Sequence, residues 1–145
     1  MIRIPRAEFN RMLGHARSEA PLEACGLAAG RALDGDVREV VRIIPLPNAH
    51  ASPAHFTIDP KAQLAALKAI RAEGLELLGN WHSHPATPAR PSLEDRRHAH
   101  DPRASYLILS LADAAPVLRS FRFRDAHAGC GALPELVEEP LELVG

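Results

Sequence analysis

Within "GNWHSHPATPARPSLEDRR", residues 79–97, two histidines stand one residue apart and an aspartate follows after a proline-rich loop. In an extended segment, residues i and i+2 point to the same face. His82 and His84 would therefore aim their imidazoles at one point, while Ser83 faces away. Imidazole is a good zinc ligand, and a catalytic zinc commonly takes three protein ligands and keeps a fourth position for water. Asp95 can supply the third ligand if the chain turns back. "PATPARPS" provides that turn, because its prolines stiffen the loop and limit the entropy lost in closing it. A plainer reading of the same residues stands beside this one. "PSLED" is also a helix start, with Ser92 as N-cap and Asp95 at the third helical position. The two readings are compatible, since a capped helix start fixes where Asp95 points.

The elements that must hold these groups follow from patterning. "IRIP" is a short first strand. "RAEFNRMLGHARSEA" sets Phe9, Met12, Leu13 and Ala16 at helical spacing and stops near Pro21. "CGLAAGRAL" and "VREVVRIIPL" read as two strands joined at Asp34-Gly35, a hairpin dipeptide. Residues 45–55 form a loop containing Pro, Asn and Ser, and "HFTID" is short and extended. Asp59 caps a helix that begins at Pro60, carries Leu64, Ala66, Leu67 and Ile70 on one stripe, and ends at Gly74. "LELLGNW" is an apolar run of strand length leading into the histidines. "SLEDRRHAH" reads as a short helix, and "ASYLILSL" and "PVLRSFRF" as strands. The tail "LPELVEEPLELV" is apolar and acidic by turns and broken by Pro140, a pattern that fits strand or helix equally. No repeat, low-complexity tract or linker interrupts the order. The expectation is an α/β protein: one domain over residues 1–145 with a mixed β-sheet flanked by helices.

Composition narrows the function classes. Of 145 residues, 46% are hydrophobic, enough for a real core, but only 4% are aromatic, so that core is built from Leu, Ile, Val and Ala. The net charge is -1 with both signs dispersed, so there is no basic field for nucleic acid. Arg96-Arg97 reads as a solvated helix face. The N-terminus lacks the apolar core of a signal peptide, and no stretch approaches the ~20 apolar residues of a membrane helix. The expectation is a soluble, cytoplasmic protein with no membrane partner. Cys25 and Cys130 form no metal-binding pair motif and would be free thiols in a reducing compartment.

His82-Ser83-His84-Pro85, then Ser92, then Asp95 resembles the motif of the JAMM (MPN-plus) zinc metallopeptidases of the Mov34 superfamily: His-x-His, seven residues, Ser, two residues, Asp. The family also has an upstream glutamate, and "PLEACGLAAG" matches it with Glu23 in the Glu-x-Cys-Gly-Leu form of the small prokaryotic members. "FTIDP", the helix after it and the strand leading into the motif are similar too. The resemblance spans roughly residues 2–123 and leaves the tail out. It implies a JAMM/MPN, cytidine-deaminase-like fold and Zn2+ as cofactor, bound by His82, His84 and Asp95. It further implies Glu23 as general base, passing a proton from the attacking water to the leaving amine, and Ser92 as a donor to the oxyanion. One departure concerns Trp81: the family more often has Gly-Trp-x-His, whereas here Asn80 follows Gly79 and the tryptophan is shifted by one. This touches the groove wall and leaves the ligands alone.

The resemblance also implies a substrate: the amide bond after the C-terminal Gly-Gly of a small ubiquitin-like or sulfur-carrier protein. The spans on either side of the motif are short and no second domain is expected, as in prokaryotic members that trim residues beyond that terminus or release an amino acid attached to it. Neither the choice between these nor the oligomeric state is written in the sequence. Two alternatives carry other expectations. A non-catalytic MPN-type scaffold is marked by lost ligands, but here Glu23, His82, His84, Ser92 and Asp95 are all present. A zinc amidohydrolase on a small substrate would share the site and differ in the groove.

Other polar residues carry plainer readings. His98 and His100 repeat the His-x-His spacing, but on a helix i and i+2 diverge by about 200°, so both are surface residues. His50 and His55 read as loop residues, with substrate contact as the alternative. Cys25 reads as a buried small apolar residue, and Cys130 as structural or incidental. Trp81 fits either the core or a groove wall. His15 and His127 carry no readable message.

Overall fold

The structure is a computed structural model and describes residues 1–125 and 133–145. Cys130 and His127 lie outside the described residues. Among the described residues eleven elements follow in chain order: β1 (Ile2–Pro5), α1 (Arg6–Glu19), β2 (Cys25–Leu33), β3 (Val37–Leu46), α2 (Pro60–Ala72), β4 (Glu76–His84), α3 (Leu93–Arg97), β5 (Ser105–Ser110), β6 (Val117–Phe123), β7 (Leu136–Glu139) and β8 (Leu141–Val144). They form one eight-stranded mixed sheet in the order β7-β6-β5-β4-β2-β3-β1-β8. The expected α/β class, with a mixed sheet flanked by helices, is what the chain adopts.

The tail resolves into strand on both sides of Pro140. Proline has no N–H for a ladder, so it separates β7 from β8. These two strands occupy opposite edges of the sheet although one residue joins them. The sheet must therefore curl until its edges meet. The seam is polar. Glu139 is buried and accepts hydrogen bonds from Ser105 Oγ at 2.6 Å and Ser120 Oγ at 2.7 Å. Ile2 N donates to the Pro140 carbonyl at 2.9 Å, and Arg122 of β6 pairs at 2.9 Å with Asp36 in the β2–β3 turn. Two register shifts in β2, at Ala28/Ala29 and Ala29/Gly30, add the local bend such curvature needs.

Alternation along the strands gives the sheet two packed faces. Ile2, Ile4, Ala28, Val40, Leu78, Trp81 and Leu107 meet Met12 and Ala16 of α1 in one cluster. Leu27, Ala29 and Leu46 meet Ala66 and Ile70 of α2 in another. Trp81 is wholly buried in the first cluster, so of its two readings the core one holds. As neighbours on β4, Trp81 and His82 take opposite faces, and the displaced tryptophan is no part of the histidines' surroundings. The segment "HFTID" makes no named strand; an isolated bridge between Asn48 and Ile58 ties its end to the loop start, and the Asn48 side chain donates to the His55 carbonyl at 2.9 Å and accepts from Thr57 N at 3.0 Å.

Close backbone packing in mid-sheet has a measurable cost. A Cβ added at Gly79 would run into the Ser105 carbonyl oxygen and stand 2.7 Å from its carbon, whereas one added at Gly14 of α1 meets nothing within 4 Å. Gly79→Ala should destabilise the protein by about 2 kcal/mol or more, because backbone on the neighbouring strand must move. Gly14→Ala should gain about 0.5–1 kcal/mol from helix propensity. Urea unfolding of both variants checks the pair. Equal effects would remove the close-packing explanation.

Candidate metal centre

β4 runs on through the motif to His84, so both histidines sit at its C-terminal end. β2 pairs with β4 antiparallel, with Cys25 opposite His82. Two residues further in that register, Glu23 comes opposite His84, just before the strand begins. Ser83 faces away from the histidines and is itself used: its Oγ accepts from Ala24 N at 2.8 Å, and its N–H donates to the Ala24 carbonyl at 2.9 Å. These bonds clamp the Glu23–Ala24 backbone against the motif. Asn48 adds a second clamp, donating from Nδ2 to the Glu23 carbonyl at 3.0 Å, while Glu23 N donates to the Ser52 carbonyl at 2.8 Å.

Asp95 arrives from the other side. Ser92 Oγ accepts from Asp95 N at 3.0 Å and Ser92 N donates to Asp95 Oδ2 at 2.9 Å, a reciprocal capping box at the start of α3. The cap reading is thus realised, and it aims the carboxylate. Asp95 Oδ2 stands 3.1 Å from His82 Nε2 and 3.1 Å from His84 Nε2, and the two nitrogens are 3.1 Å apart. Glu23, His82 and His84, all buried, each offer an atom within 4.8 Å of the others. Glu23 Oε1 is buried and has no hydrogen-bond partner among the described residues. The structure therefore brings Glu23, His82, His84 and Asp95 to one point. Ser92 is exposed beside them, its hydroxyl proton engaged by no acceptor among the described residues.

This donor set fits a zinc ion. Around a four-coordinate zinc with bonds of ~2.0–2.1 Å, neighbouring ligand atoms are ~3.3 Å apart; here three nitrogen and oxygen atoms stand 3.1 Å from one another. His84 Nδ1 lies 2.8 Å from the Pro88 carbonyl oxygen. That oxygen can only accept, so Nδ1 carries the proton and the neutral ring keeps its Nε2 lone pair for a metal. The titration of each group follows from the same contacts. Burial pulls His82 down and favours its neutral form, against the pull of Asp95. Burial works against His84 too, but hydrogen bonds to Asp95 and Pro88 outweigh it and raise its pKa. Burial would also raise Asp95, yet its bonds with His82 and His84 hold it well below the usual carboxylate range. Burial pushes Glu23 up to about 7, with His84 opposing and Asp95 adding. A carboxylate poised near neutrality suits proton transfer.

Cys25 is a buried free thiol that burial pushes up to about 12, so it stays protonated and is no thiolate ligand. His98 and His100 are exposed as expected, but not for the expected reason: α3 ends at Arg97 with His98 as its C-cap, so His100 lies beyond the helix and the two rings sit edge to face, centroids 6.4 Å apart. His98 Nε2 lies 2.8 Å from Glu94 Oε1. His50 and His55 are exposed loop residues. Phe56 escaped the sequence reading: its ring stacks on His82 with centroids 4.5 Å apart. It lines a pocket with Asn80, Pro91, Tyr106 and Leu136 against His82 and Asp95. Its place between loop and helix is set by the fold, and the "FTIDP" likeness that includes it gave it no role. No helix among the described residues is long and apolar enough to cross a membrane.

Comparison with known proteins agrees with the site. The family model described as prokaryotic homologs of the JAB domain matches residues 5–124. A Thermus thermophilus protein described as a probable TtuB-protein conjugate cleaving protease is 47% identical over 106 residues, 72% of this chain and 67% of that protein. The CysO-cysteine peptidase of Mycobacterium tuberculosis is 38% identical over 136 residues, 93% of this chain and 86% of that one. A solution structure of a Desulfitobacterium hafniense protein superposes with a TM-score of 0.86 at 48% identity, covering 99% of this chain and 93% of the other. The buried Glu-His-His cluster, the curled mixed sheet and these likenesses have one common account: the chain belongs to the prokaryotic homologs of the JAB domain and is a zinc metallopeptidase of the JAMM/MPN fold.

Proposed function

We propose that this protein hydrolyses the amide bond after the C-terminal Gly-Gly of a small ubiquitin-like or sulfur-carrier protein, acting in the cytoplasm as one domain over residues 1–145. The observation that carries the reading is the convergence of Glu23, His82, His84 and Asp95 at one buried point. The relatives described as cleaving TtuB conjugates and CysO-cysteine support the substrate class. Glycines suit a narrow approach to such a point because they bring no side chains to clash.

In this reading His82, His84 and Asp95 hold the zinc. When bound, zinc acidifies a water and polarises a carbonyl. Glu23 takes a proton from the attacking water and delivers it to the leaving amine, and its buried, unpartnered Oε1 is available for that task. The Ser92 hydroxyl donates to the developing oxyanion. The Ser92 cap orients Asp95, and the Pro88 carbonyl orients His84. The products are a carrier with a free Gly-Gly carboxylate and an amine. Incubating zinc-loaded protein with a carrier extended beyond Gly-Gly, followed by intact mass measurement, tests the reading. It predicts a new C-terminus at the second glycine; an untouched carrier or a cut elsewhere would overturn it.

Ser92 separates two roles. As a cap alone, Ser92→Ala would cost about 0.5–2 kcal/mol and leave turnover per folded molecule intact. As an oxyanion donor, its loss lowers kcat by roughly 10²–10³-fold. Ser92→Asp can still cap the helix but would repel the oxyanion. The expected result is a Ser92→Asp protein at least as stable as Ser92→Ala and nearly inactive, by thermal melts and single-turnover rates on zinc-loaded protein. A stable, active Ser92→Asp would leave Ser92 as only a cap.

A further inference from the structure

The loop between Pro85 and Pro91 is anchored at three successive residues. Ser110 Oγ donates to the Thr87 carbonyl at 2.6 Å. The Pro88 carbonyl accepts from Arg90 N at 2.8 Å while also holding His84. Ala89 is buried in the cluster with Tyr106, Ile108 and Phe121. Arg90 follows at once, and its side chain is exposed. Among the described residues no hydrogen bond or ion pair engages its guanidinium; Arg119 across the neighbouring cavity is paired with Glu138 instead. Arg90 lines an open hollow of about 510 Å³ together with His84 and Ser92, and among the residues lining it Arg90 alone carries a permanent charge. A fixed cation on a braced loop, unpaired and sharing a cavity with two groups of the site, is arranged to receive an anion there.

Hydrolysis at this site could present such an anion in one simple way. The C–N bond of the amide breaks, the water oxygen joins the carbonyl carbon, and the nitrogen leaves as an amine with the proton it gains. If that nitrogen is the α-amino group of a single amino acid, a free carboxylate lies two bonds away from it, close enough to the reacting bond to meet a wall of the site. If it is the ε-amino group of a lysine within a protein, four methylenes follow and no carboxylate is near. Building on the Gly-Gly reading above, we propose that Arg90 is a specificity-determining residue that binds the α-carboxylate of the leaving amino acid. Among carriers extended by one residue, Arg90 then favours those whose attached residue ends in a free carboxylate. Guanidinium and carboxylate match as a planar, charge-assisted pair.

The test compares two semisynthetic substrates, a Gly-Gly carrier bearing one C-terminal alanine as the free acid and the same carrier bearing alaninamide. The readout is the ratio of their kcat/KM values within each variant, which cancels any general loss of activity or folded fraction. Wild type should favour the free acid by about tenfold or more, the scale of a charge-assisted hydrogen bond. Arg90→Gln should bring the ratio close to one, and Arg90→Lys should keep a smaller preference of the same sign. A wild-type ratio near one, or a preference undiminished in Arg90→Gln, would overturn the role of Arg90 while leaving Gly-Gly hydrolysis standing. If wild type cleaves neither carrier, the Gly-Gly reading falls and the role of Arg90 with it.

Discussion

Glu23→Gln, loaded with zinc, should keep its metal and its fold and lose turnover by about 10²-fold or more, the scale of a lost general base. Glutamine preserves size and shape but cannot accept the proton. Glu23 sits just before β2, and its backbone is clamped through Ala24, Asn48 and Ser52, so the substitution disturbs no hydrogen bond that positions the loop. The side chain also carries a stability signature. Its carboxyl titrates near 7 in the fold because burial disfavours the charged form. The folded state therefore binds the proton more tightly than the unfolded chain, and the metal-free protein loses stability as pH rises from the ordinary glutamate range through about 7. Metal-free Glu23→Gln should lack that decline and melt at or above the wild type at alkaline pH. Loss of zinc in the variant would make Glu23 a ligand or a structural residue. Surviving turnover would assign the base to another group.

His82→Ala and Asp95→Ala should each weaken zinc binding by at least about 10²-fold, because a three-ligand site reduced to two ligands no longer encloses the ion. Asp95 is the sharper test. It approaches both Nε2 atoms at 3.1 Å, so removing it deletes a ligand and leaves two imidazoles facing each other at 3.1 Å. Competition with a chromophoric chelator measures the affinity, and metal analysis gives the stoichiometry. Wild type should hold about one zinc per chain. Full occupancy in a His82→Ala/His84→Ala double variant would sink the metal assignment. Cys25→Ser should keep its zinc, because burial already holds the thiol protonated.

The parts of this site that were legible in the sequence are those governed by local rules. Strand alternation placed His82 and His84 on one face and Ser83 on the other. The Ser-x-x-Asp spacing placed Asp95 at the third position of a helix capped by Ser92, where the structure finds it in a reciprocal capping box. Glu23 was different: nothing in its own neighbourhood points at a histidine pair far along the chain, and only the family resemblance singled it out. Its position depends on the β2–β4 register, a long-range pairing that no local pattern encodes. Phe56 was missed, and Arg90 passed over, for the same reason, since each stands on a loop whose path is set by what it packs on. The tail was undecided because two four-residue strands, Leu-Val-Glu-Glu and Leu-Glu-Leu-Val, are too short to show a period, and their places at opposite sheet edges follow from the closure of the whole sheet. The α3 helix is shorter than its sequence pattern, ending at Arg97 where His98 caps it. Trp81 was held between core and groove until the paired strands fixed its face.

Hydrolysis in oxygen-18 water tests the central claim most directly. Zinc-loaded wild type is incubated with a carrier extended beyond Gly-Gly, and the shortened carrier is weighed intact. The account predicts a product ending at the second glycine and carrying one oxygen-18 in its new carboxylate, formed only with zinc present and slowed by about 10²-fold or more in Glu23→Gln. A product without the label, or one formed equally well after zinc is stripped, would contradict it.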